Sequence, residues 1–259
     1  MDSIQTLISK SKVHPEWQSL LGEALLNVDP DYRQHLIDDS NWLPGINNLL
    51  SAFRRDLKNI RYLLVGESPY PRKESANGIA FYDAAVGNLW SENGLSKAVN
   101  RATSMRNIIK TALLAEGHLK LEENGKISQA SIAKIDKTRL IKTMPELFDN
   151  LHQQGFLMLN ATPVLHSQRK PLKEALFWNS FLQTLLALLA ESLDHQITLV
   201  LWGKIAQSIE ALPAAIHYRK LVSEHPYNIS FIANHEMQEL FAQLGILGKQ
   251  DFCEIKGSW

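Results

Sequence analysis

Residues 62–66 read Tyr-Leu-Leu-Val-Gly, a short apolar run that stops at a glycine. A run of this length, bounded by a turn residue, is typical of a strand that is buried on both faces. The same pattern returns at 156–160 (Phe-Leu-Met-Leu-Asn), at 197–203 (Ile-Thr-Leu-Val-Leu-Trp-Gly) and, more weakly, at 220–223 (Lys-Leu-Val-Ser). The sequence therefore predicts four strands of one buried sheet.

Amphipathic helical patterns accompany these strands, over 105–114, 145–152, 172–191, 204–212 and 235–244. Buried strands alternating with helices predict an α/β fold with a central four-stranded parallel sheet and helices on both faces. Because no segment reads as a linker, we expect a single domain over 1–259, with a helical part at 1–60. The charged segment 117–137, with an Asn124-Gly125 turn, is interpreted as a surface excursion.

The composition excludes several classes of protein. The chain has 259 residues with 27 Lys+Arg against 27 Asp+Glu, and this zero net charge argues against coating nucleic acid by bulk charge. A single cysteine, Cys253, rules out a disulfide framework and a cysteine-rich metal site. The N-terminus has no signal-like pattern, and no apolar stretch approaches the ~20 residues that span a bilayer. We therefore expect a cytoplasmic protein without membrane contact.

Motifs for several common chemistries are absent from the sequence. There is no G-x-G-x-x-G after a strand, no G-x-x-x-x-G-K-[ST], no G-x-S-x-G and no H-E-x-x-H. The nine histidines include no pair at metal-ligand spacing. We expect neither a metal ion nor an organic cofactor.

Unusual side chains follow the predicted strands. The first strand leads into 67–71, which reads Glu-Ser-Pro-Tyr-Pro, and then to Phe81; Asn160 ends the second strand, and His225 follows the fourth. Taken singly, each is more often a rigid turn, a cap or a core aromatic than a functional group. Parallel strands, however, bring these ends to one edge of the sheet, where ligands bind in such folds.

Together, these segments resemble the uracil-DNA glycosylase family. The family's first motif is Gly-Gln-Asp-Pro-Tyr followed at a fixed distance by a glycine and a stacking phenylalanine, and it matches Gly66, Pro69, Tyr70, Gly78 and Phe81. Its later motifs match Met158-Leu159-Asn160, Lys173-Glu174, Trp178, Leu201-Trp202-Gly203 and His225-Pro226. The resemblance runs from about residue 62 to the end and is loose over the first 60 residues.

The resemblance implies roles for five residues in binding an extruded base. Phe81 would stack on the flipped uracil, and the Asn160 amide would match uracil O4 and N3–H but not cytosine. Tyr70 would exclude the methyl group of thymine. His225 would stabilise negative charge on the departing uracil, with help from backbone N–H groups near Glu67 and Phe81.

The sequence departs from the family pattern at the residue that positions the attacking water. The family's aspartate falls on Ser68, which carries no negative charge, so Ser68 would at most hold the water. Losing one such electrostatic group typically costs ~10²–10³ in rate. Glu67 and Asp83 are two alternatives for the missing carboxylate.

The expected DNA contacts also differ from the family pattern. Lys204 and Tyr227 take the places of phosphate-binding serines, whereas Ser104 matches a family serine. Pro226 lies between His225 and a shortened loop, in which Tyr227, Ile229 or Phe231 would serve as the wedge that fills the gap left by the base.

Three functions follow as expectations. The first is hydrolysis of the N-glycosidic bond of uracil in single- or double-stranded DNA, as in base excision repair, by a monomer. The second is a catalytically weak or inactive module that binds uracil-containing DNA or a partner protein, which Ser68 favours. The third is a glycosylase with a different base preference.

Overall fold

The computed structural model describes residues 2–123, 125–167, 169 and 171–249 of the chain. Its strands are β1 Trp42–Leu43, β2 Tyr62–Gly66, β3 Trp90–Ser91, β4 Gly94–Leu95, β5 Phe156–Asn160, β6 Leu165–His166, β7 Thr198–Trp202 and β8 Arg219–Ser223. Its α-helices are α1 Ser3–Lys10, α2 Gln18–Leu26, α3 Pro30–Asp38, α4 Lys97–Arg101, α5 Thr103–Ala115, α6 Gln129–Ala133, α7 Met144–Gln153, α8 Pro171–Ser192, α9 Ile205–Glu210 and α10 His235–Leu244. Cys253 and Asn124 lie outside the described residues.

The central sheet has four parallel strands in the order β5-β2-β7-β8. The predicted α/β fold with a four-stranded parallel sheet is therefore confirmed. In the β2–β5 pair the register places Gly66 beside Asn160, and in the β7–β8 pair it places Trp202 beside Ser223. The residues that end the strands consequently meet along one edge.

Two apolar cores lie on opposite faces of this sheet. Leu63 and Val65 point into one core, formed with α1, α2 and α8, whereas Leu64 and Val200 point into the other, formed with α5, α7 and α10. Successive side chains of a strand point to opposite faces. Because both faces are covered there, β2, β5 and β7 are apolar along most of their length, whereas the edge strand β8 begins with Arg219 and Lys220 and is partly exposed.

The segment 117–137 is less exposed than the sequence suggested. Ile127 and Ile132 are 5% and 0% exposed and belong to the second core. The Lys110 ammonium of α5 donates a hydrogen bond to the Ile127 carbonyl at 2.7 Å. The prediction of a surface excursion is therefore wrong for these apolar residues.

A buried polar network attaches the N-terminal helices to α8. The Tyr32 hydroxyl donates a hydrogen bond to the Glu174 carboxylate, and Trp178 Nε1 donates one to the Tyr32 hydroxyl at 3.1 Å. Arg169 pairs with the other carboxylate oxygen of Glu174 at 3.0 Å. Burial, followed by the hydrogen bond to Glu174, raises the pKa of Tyr32. Glu174 and Trp178, which matched a family motif, thus stabilise the packing of α3 on α8.

Among the described helices, none is both long and apolar enough to cross a membrane.

Candidate active site

A cavity of about 570 Å³ opens at the carboxyl edge of the sheet. Its walls include Glu67, Phe81, Trp202, Lys204, Glu224 and His225. Each of the four parallel strands ends next to this edge, as expected for a ligand site in a parallel sheet. Glu67 and Phe81 after β2, Lys204 after β7 and His225 after β8 therefore share this cavity. Ser68, Tyr70 and Asn160 are not among the described residues that line it.

The glycine that ends β2 allows two of the predicted residues to come close together. A Cβ atom on Gly66 would lie 2.9 Å from Asn160 Oδ1 and 3.6 Å from Phe81 Cε2, so the amide and the ring both contact the glycine face. Asn160 is 6% exposed, and no hydrogen bond joins its amide to any residue that the structure describes. Buried amides normally have partners, so an uncommitted amide here is suited to binding a ligand.

Phe81 holds a strained backbone conformation beside this amide. Its φ of +63° lies in the left-handed region, which is a rare conformation for a bulky residue. The ring packs edge-on against Trp202 with centroids 5.0 Å apart, and it lies 5.8 Å from the His225 ring at a tilt of 37°. Strain of this kind costs ~1–3 kcal/mol and is retained where the surroundings require one orientation, often at functional sites.

The His225 ring is held in one tautomer by the chain that follows it. The backbone N–H of Tyr227 donates a hydrogen bond to His225 Nδ1 at 3.0 Å. In a neutral imidazole the other nitrogen then carries the proton, so Nε2–H is a donor. Burial lowers the pKa of His225, although the charge of Glu67 acts in the opposite direction. The favoured state is thus a neutral ring with one N–H donor.

Asn107 supports the segment that carries His225, although no sequence motif identified this residue. This α5 residue is fully buried, and its amide donates hydrogen bonds to the carbonyls of Pro226 at 2.7 Å and Asn228 at 3.3 Å. The available signal was a polar residue on the apolar face of a predicted helix, next to Ile108 and close to Met105. Such a residue needs buried partners, which a sequence cannot identify.

A second cavity of about 510 Å³ adjoins the first and is lined in part by Tyr70, Arg72, Asp83, Arg101, Ser104 and Tyr227. The Tyr70 hydroxyl donates a hydrogen bond to the Phe81 carbonyl at 3.3 Å. Burial, with a smaller contribution from Asp83, raises the pKa of Tyr70 to about 12, so the phenol stays neutral. Tyr227 lines both cavities and forms the wall between them.

The two alternative carboxylates have different surroundings. Asp83 is 3% exposed, and its oxygens accept hydrogen bonds from Arg72 and from the Ala85 N–H, both at 3.0 Å. This carboxylate is engaged in the wall of the second cavity. Glu67 is exposed and lines the cavity of His225, whereas Ser68 does not line it. Glu67 is therefore the better placed of the two.

The candidate DNA contacts are divided between the two cavities and the segment after His225: Lys204 and Tyr227 line the first cavity, and Ser104 lines the second. Tyr227 and Ile229 are 66% and 69% exposed, which is unusual for large apolar side chains. Phe231 is fully buried against Trp202, so the alternative of a Phe231 wedge is wrong. Lys204 is exposed on the rim, and Pro226 is buried with its carbonyl bound by Asn107.

Comparison with known proteins gives several relatives and one negative result. The crystal structure of wild-type UNG from Nitratifractor salsuginis is 36% identical, with a TM-score of 0.89 over 95% of this chain and 97% of its own. A uracil-DNA glycosylase from Amoebophilus asiaticus is 25% identical over 83% of this chain and 84% of its own length. The mimivirus uracil-DNA glycosylase shares the fold, at 17% identity and a TM-score of 0.53. No protein-family model matches the sequence.

Proposed function

Because the chain belongs to the uracil-DNA glycosylase family, we propose that it hydrolyses the N-glycosidic bond between uracil and deoxyribose in DNA. The observation that carries this proposal is the neutral His225 ring. Its Nε2–H donor shares the cavity with the Phe81 ring, and the uncommitted Asn160 amide lies beside that ring. A base-binding ring, an amide and a leaving-group donor together suit the binding and departure of uracil.

Recognition of uracil is assigned to Phe81 and Asn160. An aromatic ring stacked on a base contributes ~1–3 kcal/mol, and the rigid, left-handed backbone of Phe81 keeps the ring in place. The buried Asn160 amide offers a donor and an acceptor side by side, which suits O4 and N3–H of uracil. Cytosine would leave groups of this amide unpaired, which strongly disfavours its binding. Tyr70 would exclude thymine by its bulk.

His225 is assigned to the departing base. As the glycosidic bond breaks, negative charge collects on the uracil ring. A donor that the fold already holds in the cavity stabilises that charge with little reorganisation. A neutral Nε2–H is sufficient for this role, and the lowered pKa of His225 keeps the ring neutral at pH 7. Backbone N–H groups near Glu67 and Phe81 would add to the same stabilisation.

Glu67 is assigned to the positive charge that develops on the sugar. Glycoside hydrolysis passes through a transition state with oxocarbenium character, which a nearby carboxylate stabilises. The resemblance places Ser68 at the family's aspartate, and a serine can hold a water molecule but cannot supply charge. Glu67 lines the cavity together with His225, whereas Asp83 is paired with Arg72. Glu67 therefore fits this role better than Asp83.

Contacts with DNA are assigned to the rim of the two cavities. Lys204 would bind a phosphate as a point charge, and Ser104 would donate a hydrogen bond to another. Tyr227 and Ile229 are the exposed apolar side chains next to the site, so they would occupy the gap in the base stack, while Pro226 fixes their backbone.

The test is single-turnover release of uracil from single- and double-stranded oligonucleotides that contain one deoxyuridine. We expect release by the wild type, and a loss of ~10²–10³ in His225→Ala and of about 10² in Glu67→Gln. His217→Ala, at an exposed histidine away from the cavity, is the control and should release uracil normally. An active wild type in which His225→Ala changes nothing would show that the assignment of His225 is wrong.

The second candidate is a module that binds uracil-containing DNA without cleaving it. The serine at position 68 favours it, because the proposed replacement, Glu67, is exposed and has no described partner that fixes its carboxylate. If the wild type binds the oligonucleotide but frees no uracil, and Ser68→Asp restores release, this second function is correct and the proposed hydrolysis is not.

A further inference from the structure

Two histidines and an aspartate form a cluster that lies apart from both cavities described above. His35 lies in the last turn of α3, Asp39 is the residue after that helix, and His166 ends β6. None of the three lines either cavity. The proposed glycosylase reaction does not use them, so their arrangement needs a separate explanation.

The distances within this cluster are close to those of a metal site. Asp39 Oδ2 lies 3.1 Å from His166 Nε2 and 3.6 Å from His35 Nε2, and one ligand atom from each residue lies within 4.8 Å of the others. Ligands at 2.0–2.1 Å from a tetrahedral zinc ion are separated by about 3.3 Å. Two of the three separations already have this size, and the third, between the two histidine nitrogens, is at most 4.8 Å.

The His35 ring nitrogen gives an independent indication. Its Nε2 atom is buried and has no hydrogen-bond partner among the described residues, because the nearby Asp39 oxygen at 3.6 Å is beyond hydrogen-bond distance. The His35 and His166 rings lie 5.7 Å apart at an angle of 28°. A buried ring nitrogen without a hydrogen-bond partner is unfavourable, and a cation bound between the two rings and the carboxylate would satisfy it.

The neighbouring groups hold the carboxylate in an orientation that suits a ligand. Asp39 Oδ1 accepts hydrogen bonds from the backbone N–H of Asn41 at 2.9 Å and from its side chain at 2.8 Å, which leaves Oδ2 facing the histidines. Trp42 Nε1 donates to the Asp39 carbonyl at 2.7 Å, and Trp42 pairs with His166 in the β1–β6 ladder. Outer contacts of this kind are typical of metal ligands.

We propose that His35, Asp39 and His166 bind one divalent transition-metal ion of the zinc type. Two imidazoles and one carboxylate suit Zn²⁺ or Co²⁺ better than Mg²⁺ or Ca²⁺, which prefer oxygen ligands alone. A water molecule would complete the tetrahedron. The ion would join the end of α3 to β6, in the segment that follows Asn160, and its role would be structural.

Thermal unfolding and equilibrium dialysis of the untagged full chain with Zn²⁺ test this proposal. We expect one Zn²⁺ per chain, and an increase in Tm of about 5 °C at a hundredfold excess over Kd. His35→Gln and His166→Gln should each lose both effects. The matched control is His235→Gln: His235 also faces an acid four residues on, Glu239, at 3.5 Å, but it is 83% exposed and no third ligand joins the pair among the described residues. This variant should bind zinc like the wild type.

Titration of the wild type with Co²⁺ supplies a readout that does not depend on any variant being folded. We expect the visible absorption bands of a four-coordinate site with nitrogen and oxygen ligands, and their loss on addition of Zn²⁺. A wild type with no stoichiometric uptake and no bands would overturn the proposal, because the cluster would then be a pair of histidine–aspartate ion pairs. Equal uptake by the wild type and by folded His35→Gln and His166→Gln would also overturn it, because the metal would bind elsewhere.

Discussion

Replacement of Gly203 by alanine tests whether the position of His225 controls the proposed reaction. Gly203 follows β7 with a φ of +76°, and a Cβ atom there would lie 2.7 Å from Cβ of His225 and 3.3 Å from its Cγ. Carbon atoms pack at about 3.5–4.0 Å, so His225 would have to move away by about 0.8 Å. The substitution therefore displaces the leaving-group donor without removing it.

Two costs follow from this geometry, and they affect different measurements. The left-handed backbone costs a residue with a side chain ~1–2 kcal/mol, which lowers Tm by about 2–4 °C for each kcal/mol. Misplacing a catalytic group by about 1 Å can cost ~10² in rate. We expect Gly203→Ala to remain folded, with a modest loss of stability and a loss of about 10² in single-turnover uracil release.

The matched control is Gly245→Ala. Gly245 also has a left-handed backbone, at φ +61°, but a Cβ atom there would have no neighbour within 4 Å. It should therefore lose stability in the same way and keep its activity. Both variants are compared with the wild type by uracil release from a single-stranded oligonucleotide and by thermal unfolding. Equal activity of the two variants would refute the claim that contact with Gly203 sets the working position of His225.

Two further predictions concern residues around the His225 ring. Glu67→Gln removes a charge that raises the pKa of His225, so this pKa should fall further. Because the neutral ring is lost as the pH falls through that pKa, the acid limb of the pH–rate profile should move to lower pH. A limb that stays in place would contradict the assignment of Glu67. Asn107→Ala leaves the buried Pro226 carbonyl and the partly exposed Asn228 carbonyl without their donor, so urea unfolding should show a loss of ~1–3 kcal/mol in the free energy of unfolding. A loss below about 0.5 kcal/mol would mean that these carbonyls find other partners.

The sheet could be predicted from the sequence because its signal is local. In β2 and β5, four successive apolar residues precede a glycine or an asparagine, and the structure confirms both bounds. The burial of Ile127 and Ile132 could not be predicted in the same way. It depends on α5 and on a hydrogen bond from Lys110 to the Ile127 carbonyl, which joins residues that are distant along the chain.

In the candidate site, too, some residues could be predicted from local sequence and others could not. Glu67, Phe81 and His225 line one cavity because the ends of parallel strands meet at one edge, and strand ends can be read from a sequence. The direction in which a carboxylate points cannot be predicted from a sequence. Glu67 and Asp83 were both alternatives in the sequence, and they are separated by the position of Glu67 in the cavity of His225 and by the ion pair of Asp83 with Arg72. The contacts of Asn107 and the approach of His166 to the His35–Asp39 pair depend on tertiary structure, although His35 and Asp39 themselves are only four residues apart.

The glycines that end β2 and β7 connect the local sequence signal with the tertiary contacts of the site. Gly66 and Gly203 were interpreted as residues that stop a strand. In the structure each glycine also leaves room for a site residue. A Cβ atom on Gly66 would lie 2.9 Å from Asn160 Oδ1, and a Cβ atom on Gly203 would lie 2.7 Å from His225 Cβ. One residue type thus ends the strand and makes room for the side chain that the neighbouring strand carries. Where a sheet places a glycine at a strand end and a polar residue at the end of the adjacent strand, the pair predicts a close contact and, at this edge, a binding site.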